Sequence, residues 1–138
     1  MPISLSFTEG SLNKQAAKQA AKEVTELFLE LHNLSGNTVM GPGVTNHITF
    51  LPLDQSLSNG QPFVGAWIEA RVPSFALTTA EQKKTFFSGA MDIVEKHGDG
   101  KIHRKDIHGS AIYAVDGTWI LGGEVMTNDE IIAKISNS

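Results

Sequence analysis

The sequence predicts an α+β fold in which two fused β-α-β units form a four-stranded mixed sheet with two helices on one face. Residues 3–7 alternate strictly between apolar and polar, and apolar residues recur at helical spacing over residues 12–33. The same order of elements starts again at residue 63. Because parallel neighbouring strands need a crossover connection, each unit requires its helix between its two strands.

The first predicted unit is a strand over residues 3–7, a helix over about 12–33 and a second strand over 47–51. In the first strand, apolar residues alternate with serines, so one face is expected to be buried. Ser11 is predicted to cap the helix, and Gly36 is predicted to terminate it. Asn59-Gly60 predicts a turn in the connection to the second unit.

The second predicted unit is a strand over 63–72, a helix over about 79–97 and a strand over 108–116, followed by an extension over 118–125 and a terminal helix through residue 135. Thr78 and Glu81 have the spacing of a capping box, as do Thr127 and Glu130. A shift of 65 residues superposes the two units. We therefore expect one domain over residues 1–138, with an internal repeat of 2–60 and 63–125.

Composition limits the classes of function. The chain has 138 residues and a net charge of −4, which argues against nucleic acid or an anionic membrane as a partner. No apolar run approaches the roughly 20 residues of a membrane span. The chain has no cysteine, which excludes disulfides and a cysteine nucleophile and agrees with a cytoplasmic protein. The histidines lack metal-site spacing.

The amino terminus carries the main chemical signal. Processing normally removes a starting Met that precedes a proline, and Pro2 would then carry a free secondary amine at the tip of a strand. An α-amino group titrates near about 7.7–8.0, and burial lowers its pKa further. Such an amine can act as a neutral base or a nucleophile near neutral pH. Alternatively, Pro2 only opens an edge strand, where proline is tolerated.

Several segments, in this order, resemble the tautomerase superfamily. They are Pro2-Ile3, Glu9-Gly10 before the first helix, residues 77–83 before the second, and the aromatic and glycine pair within 117–123. Small members such as 4-oxalocrotonate tautomerase are single β-α-β units that begin with the catalytic proline. Longer members, among them macrophage migration inhibitory factor, malonate semialdehyde decarboxylase and cis-3-chloroacrylic acid dehalogenase, fuse two units and form trimers. The resemblance implies this fold, a homotrimer and a reaction without a cofactor.

The resemblance also implies catalytic residues. Pro2 matches the catalytic proline once Met1 is removed. Arg71 matches one arginine of the pair that precedes the second helix in the dehalogenase and the decarboxylase, and it would bind a substrate carboxylate. The alternative is that Arg71 is a solvated charge at the end of its strand. Two positions differ from the family, because Ser11 stands where the short members have an arginine and the second arginine is missing. The missing second arginine argues against diacid substrates and against efficient dehalogenation.

Four further residues are candidates for substrate binding. Trp119 matches the hairpin aromatic that lines the family's pocket. His32 ends the first helix, where a dipole contact is the alternative role. Tyr113 and Asp116 lie on or after the last strand, where Asp116 also suits an ordinary turn. A fifth residue, His47, begins the second strand and could also face this pocket.

The sequence thus favours an isomerase in which neutral Pro2 moves a proton in a small 2-oxo acid or its enol. Two alternatives remain open. Protonated Pro2 could polarise an unsaturated or halogenated acid while water adds, which is hydratase or dehalogenase chemistry. A protein that retains Met1 could instead be a trimeric binding protein, because Pro2 would then have an amide nitrogen.

Overall fold

The computed structural model describes residues 1–138. The elements, in order, are β1 (Pro2–Thr8), α1 (Lys14–Leu31), a short α2 (Met40–Gly43), β2 (Thr45–Leu51), β3 (Leu57–Ser58), β4 (Gln61–Pro62), β5 (Ala66–Pro73), α3 (Ala80–Gly98), β6 (Ile107–Ala114), β7 (Trp119–Leu121), β8 (Glu124–Met126) and α4 (Asn128–Ser136). No helix has the length and apolar character needed to cross a membrane.

One four-stranded sheet in the order β2-β1-β5-β6 organises the chain. β1 runs parallel to β2, and β5 runs parallel to β6, with one long helix joining each pair. β1 and β5 are antiparallel neighbours at the centre. The predicted mixed sheet of two β-α-β units is confirmed.

The core lies between the sheet and the two long helices. Ile3, Leu5 and Phe7 are fully buried, as their alternation predicts. Phe28 of α1 and Phe86 of α3 meet edge to face, with ring centroids 5.8 Å apart. Because α1 and α3 cover the same face, the opposite face of the sheet remains open.

The ends of α1 differ from the prediction. Asn13, not Ser11, is the N-cap, and its side-chain oxygen accepts from the backbone N–H of Ala16. Ser11 instead donates to the carbonyl of Thr8, which holds the turn before the helix. The left-handed residue after the helix is Asn33, with a φ of 56°, so Gly36 does not terminate it. Asparagine tolerates this conformation better than most residues.

Two boundaries in the second unit also shift. The capping box of α3 uses Thr79 and Gln82, one residue later than the predicted Thr78 and Glu81. Adjacent threonines make either frame possible in sequence, and only the backbone geometry selects one. β5 begins at Ala66, three residues later than the predicted strand over 63–72, so Val64 precedes the strand and is exposed. The hairpin β7–β8 and the N-cap Thr127 agree with the prediction.

Candidate active site

The amino end of β1 lies beside two cavities, one on each face of the sheet. Pro2, at the start of β1, is half-buried. Ile3 pairs with Ala70 across the antiparallel strands, which puts Arg71 beside Pro2 one residue further along. Pro2 and Arg71 line the same cavity on the open face. The structure therefore brings together the two predicted catalytic residues.

This first cavity, which we name the polar cavity, has a volume of about 310 Å³. It is lined by Pro2, Ser4, His47, Glu69, Ala70, Arg71 and Ile112. Neither Arg71 nor Glu69 forms an ion pair within the chain. Arg71 is therefore free to bind an acid, because a guanidinium suits a carboxylate well.

The second cavity, which we name the apolar cavity, has a volume of about 220 Å³ and lies on the helical side. It is lined by Met1, Phe28, His32, Leu34, Met40, Phe75, Ala76, Ile132, Ile135 and Ser136. Eight of these ten residues are hydrophobic, and none is Lys, Arg, Asp or Glu. The lining suits an uncharged group.

Met1 separates Pro2 from this space. It is only 5% exposed, and its amine donates to the carbonyl of Gly43 at 2.5 Å. Its own carbonyl accepts from the N–H of Thr45 at 3.0 Å. Burial lowers the pKa of the Met1 amine to about 6, because the charged form loses solvation. An amine at this end of β1 is therefore held partly out of water.

His32 and Tyr113 both contact the backbone of Leu77, in the loop between β5 and α3. The N–H of Leu77 donates to His32 Nε2 at 3.0 Å, and His32 Nδ1–H donates to the carbonyl of Phe28 at 2.9 Å. The hydroxyl of Tyr113 donates to the carbonyl of Leu77 at 2.7 Å. Leu77 is fully buried and has a φ of 48°. His32 lines the apolar cavity, but both of its ring nitrogens already have partners.

Trp119 and Asp116, the other two predicted binding residues, line neither cavity. Trp119 is buried in the β7–β8 hairpin, and its indole N–H has no hydrogen-bond partner. Asp116 accepts from the N–H of Asn128 at 2.8 Å, which ties the turn after β6 to the start of α4. The structure does not bring these residues together with Pro2.

Several cavity residues were not singled out in the sequence. Glu69 alternates with Arg71 on β5, so its place on the open face follows from the same pattern that places Arg71. Ile132 and Ile135 belong to α4, and their spacing could have indicated an apolar helix face. Phe75 lies in a loop, where no periodic signal exists.

Comparisons with known proteins identify the fold. No family model matches the sequence, and no curated protein matches it significantly. Solved structures match it at low identity. One is Pt0534, inactivated by 2-oxo-3-pentynoate, with a TM-score of 0.75, 14% identity, and coverage of 94% of this chain and 98% of that chain.

Two further matches have the same architecture. A wild-type fused 4-OT, described as a symmetric trimer, gives a TM-score of 0.71 at 11% identity, covering 92% of this chain and 95% of its own. A member of the cis-3-chloroacrylic acid dehalogenase family gives 0.70 at 14% identity, with both chains fully covered. The resemblance drawn from the sequence is thus confirmed for the fold. This chain has the fold of the tautomerase superfamily, in its fused two-unit form.

Proposed function

We propose that, once Met1 is removed, this protein is a cofactor-independent isomerase that uses the amine of Pro2 to move a proton in a small 2-oxo acid or its enol. The observation that carries the proposal is the shared cavity of Pro2 and Arg71 at the end of β1. The fold adds support, because solved structures with the same fold include a fused 4-OT.

The surroundings of Pro2 favour a neutral amine. The Pro2 nitrogen is bonded to Met1, which is only 5% exposed. Removal of Met1 would therefore leave the Pro2 amine beside a buried part of the protein. Burial already lowers the pKa of the Met1 amine to about 6 at this end of the strand. We expect the same partial desolvation to favour the uncharged form of the Pro2 amine near neutral pH.

The proposed step is a proton transfer that balances without a cofactor. The lone pair of Pro2 takes a proton from C3 of the 2-oxo acid, and the C–H electrons form a C2–C3 double bond. The carbonyl electrons move to the oxygen, which becomes an enolate and then takes the proton back from the protonated Pro2 amine, giving the enol and regenerating the neutral base. Arg71 would hold the carboxylate beside the developing charge, and electrostatic stabilisation of this kind usually contributes most to such reactions.

A homotrimer forms part of the proposal. The open face of the sheet carries the half-buried Pro2, Ser4 and Ser6, and Ile112 on the same face is 54% exposed. The solved fused 4-OT is described as a trimer. A molecular mass near three times 14.9 kDa in sedimentation equilibrium is the expected result, and a monomer would refute this part.

A binding protein without catalysis is the second candidate. It is favoured by Met1 itself, whose amine and carbonyl are both hydrogen-bonded and whose side chain is buried. While Met1 remains, Pro2 has no basic nitrogen. The two candidates therefore differ in one measurable property, the chemical state of the Pro2 nitrogen.

Covalent labelling tests the proposal directly. The protein is purified, its intact mass is measured, and it is incubated with 2-oxo-3-pentynoate. A free Pro2 amine should add to the alkyne, with the proton moving from nitrogen to carbon, so the mass rises by one whole reagent. Peptide mapping should locate the adduct on Pro2. A protein that retains Met1 and gains no adduct would refute catalysis by Pro2.

Paired variants test the role of Arg71. Arg71→Gln should slow labelling about tenfold or more, since losing a charge-assisted hydrogen bond costs roughly 1.5–3 kcal/mol. Glu69→Gln is the matched control, because it neutralises an exposed charge in the same cavity and on the same strand face. Equal labelling rates for Arg71→Gln and wild type would remove Arg71 from the proposed mechanism.

A further inference from the structure

We infer that Asn59 is a site of spontaneous covalent modification in the folded protein. The backbone nitrogen of Gly60 displaces ammonia from the Asn59 side chain, and water then converts the resulting succinimide to aspartate and isoaspartate. The site lies between β3 and β4, in the segment that joins the two β-α-β units. The inference goes beyond the proposed function and does not depend on it, because no residue of the polar cavity takes part.

The tip of the β3–β4 hairpin presents both reacting groups to solvent. Asn59 and Gly60 are exposed and have φ angles of 50° and 74°, as a two-residue type I′ turn requires. The N–H of Gly60 has no hydrogen-bond partner in the chain, and a Cβ at Gly60 would have no atom within 4 Å. The nucleophile is therefore both free and unhindered.

The side-chain amide of Asn59 is also free. Four other asparagines hold their amides in hydrogen bonds within the chain, and Asn59 forms none; the four are Asn13, Asn37, Asn46 and Asn128. Among the seven asparagines of the chain, only Asn59 precedes a glycine. The leaving group and the nucleophile are thus available together at this one position.

Asn33 provides a comparison within the same molecule. It is exposed and left-handed, with a φ of 56°, so its own conformation resembles that of Asn59. The N–H that follows it belongs to Leu34 and donates to the carbonyl of Leu29 at 2.7 Å. Leu34 also carries a branched side chain beside that nitrogen. Asn33 should therefore be unreactive for reasons that do not apply to Asn59.

Ring closure requires the turn to open, because the Gly60 nitrogen must rotate about the backbone of Asn59 to reach Cγ. β3 and β4 have two residues each, all exposed, and they form a sheet of their own. A two-stranded hairpin of this size is marginally stable and opens locally at little cost in free energy.

The base of the hairpin limits this opening to its tip. Ser56 is buried, and its carbonyl accepts from the N–H of Phe63 at 3.0 Å. Its hydroxyl oxygen accepts from the hydroxyl of Thr8 at 2.9 Å, which ties the linker to the carboxyl end of β1. Residues 57–62 can therefore open while the fold stays intact.

Each chemical step balances without a cofactor. Hydroxide removes the proton of the Gly60 N–H, the nitrogen lone pair bonds to Cγ of Asn59, and the bond from Cγ to the amide nitrogen breaks, releasing ammonia once water protonates it. Water then adds to either carbonyl of the succinimide, and the ring C–N bond at that carbonyl breaks. Cleavage at Cγ gives aspartate, and cleavage at the backbone carbonyl gives isoaspartate. Isoaspartate adds a methylene to the main chain, so the two-residue turn cannot re-form.

Peptide mapping by mass spectrometry tests the site. The full-length protein is incubated at mildly alkaline pH, in native buffer and in urea that unfolds it, and conversion is followed at every asparagine. Isoaspartate is identified by methylation with a protein isoaspartate methyltransferase. We expect Asn59 to convert in the native protein within about tenfold of its rate in urea, because the hairpin opens readily. Asn33 should remain unmodified in the native protein.

An engineered cross-link tests the opening of the hairpin. Leu57 and Pro62 face each other across β3 and β4, and facing antiparallel residues lie at a separation that suits a disulfide. The chain has no cysteine, so Leu57→Cys with Pro62→Cys provides a single pair of thiols. The oxidised form should convert Asn59 about fivefold more slowly or less, because the cross-link restrains the open state. The same protein after reduction is the matched control.

Three results would overturn the inference. The first is a native rate at Asn59 that falls further below the rate in urea than expected, which would mean that the folded turn protects the site. The second is equal conversion of Asn59 in the oxidised and reduced forms of the cross-linked variant. The third is conversion of Asn33 as fast as that of Asn59 in the native protein, which would deny any role to the free N–H of Gly60.

Discussion

Replacing His32 tests whether it holds the loop between β5 and α3. His32→Ala removes the acceptor of the buried Leu77 N–H and the ring that lies 4.3 Å from the Phe28 ring. An orphaned buried N–H costs about 1–3 kcal/mol, and a lost ring contact costs about 0.5–1.5 kcal/mol. We expect a loss of about 2–4 kcal/mol in the free energy of unfolding.

Urea unfolding measures this loss. With an m value of about 2 kcal/mol/M, the midpoint should fall by about 1–2 M. His32→Gln is the informative control, because a glutamine amide oxygen can reach the position of Nε2 and accept from Leu77. It should recover at least about 1 kcal/mol, the usual contribution of one hydrogen bond.

Two results would refute this reasoning. One is a cost below about 1 kcal/mol for His32→Ala, which would mean that the Leu77 N–H finds another partner. The other is equal destabilisation by alanine and glutamine, which would assign the loss to packing alone. A stability loss rescued by glutamine would instead make His32 a structural residue that shapes the wall of the apolar cavity.

Three other predictions concern stability. In the form that retains Met1, its amine has a pKa of about 6 when folded and about 8 when unfolded. Between pH 6 and pH 8 the unfolded state binds more protons than the folded state, so the urea midpoint should rise over this range. A fall in the midpoint would contradict the lowered pKa of the buried Met1 amine. Gly109→Ala places a Cβ 1.9 Å from the carbonyl oxygen of Ile68 and should lower the free energy of unfolding by at least about 1–3 kcal/mol. Gly41→Ala is the control, because its Cβ would have no atom within 4 Å and should lower that free energy far less. Equal melting temperatures for the two variants would contradict the clash. Thr8→Val leaves a buried backbone N–H without its acceptor and should cost about 1–3 kcal/mol in calorimetry, and an unchanged melting temperature would contradict that role.

Much of the fold was predictable because its signals are local. The alternation of Ile3, Leu5 and Phe7 needs only a two-residue period, and the helical spacing in α1 and α3 needs only a turn or two. The order of elements then leaves few topologies, since parallel pairs require crossover helices. Boundaries were less predictable: Asn33 and Gly36 both adopt a left-handed conformation, so the sequence offered two possible helix ends, and α1 stops before the first of them.

The candidate site was predictable only in part. Pro2 could be singled out from its position and chemistry, and Arg71 from a resemblance. Their shared cavity depends on the antiparallel register of β1 and β5, which the contacts of the whole core select. His32 and Tyr113 suit substrate binding by residue type, yet they hydrogen-bond to the backbone of Leu77.

The sequence by itself determined the main strands, the two long helices, the buried face of β1 and the possible reactivity of an amino-terminal proline. Each of these depends on neighbours along the chain. The tertiary structure decided that Met1 is buried beside an apolar cavity and that Arg71, not His32, lies in the cavity of Pro2. These relations join residues from distant segments, and a sequence pattern carries no information about distance until the sheet register brings those segments together.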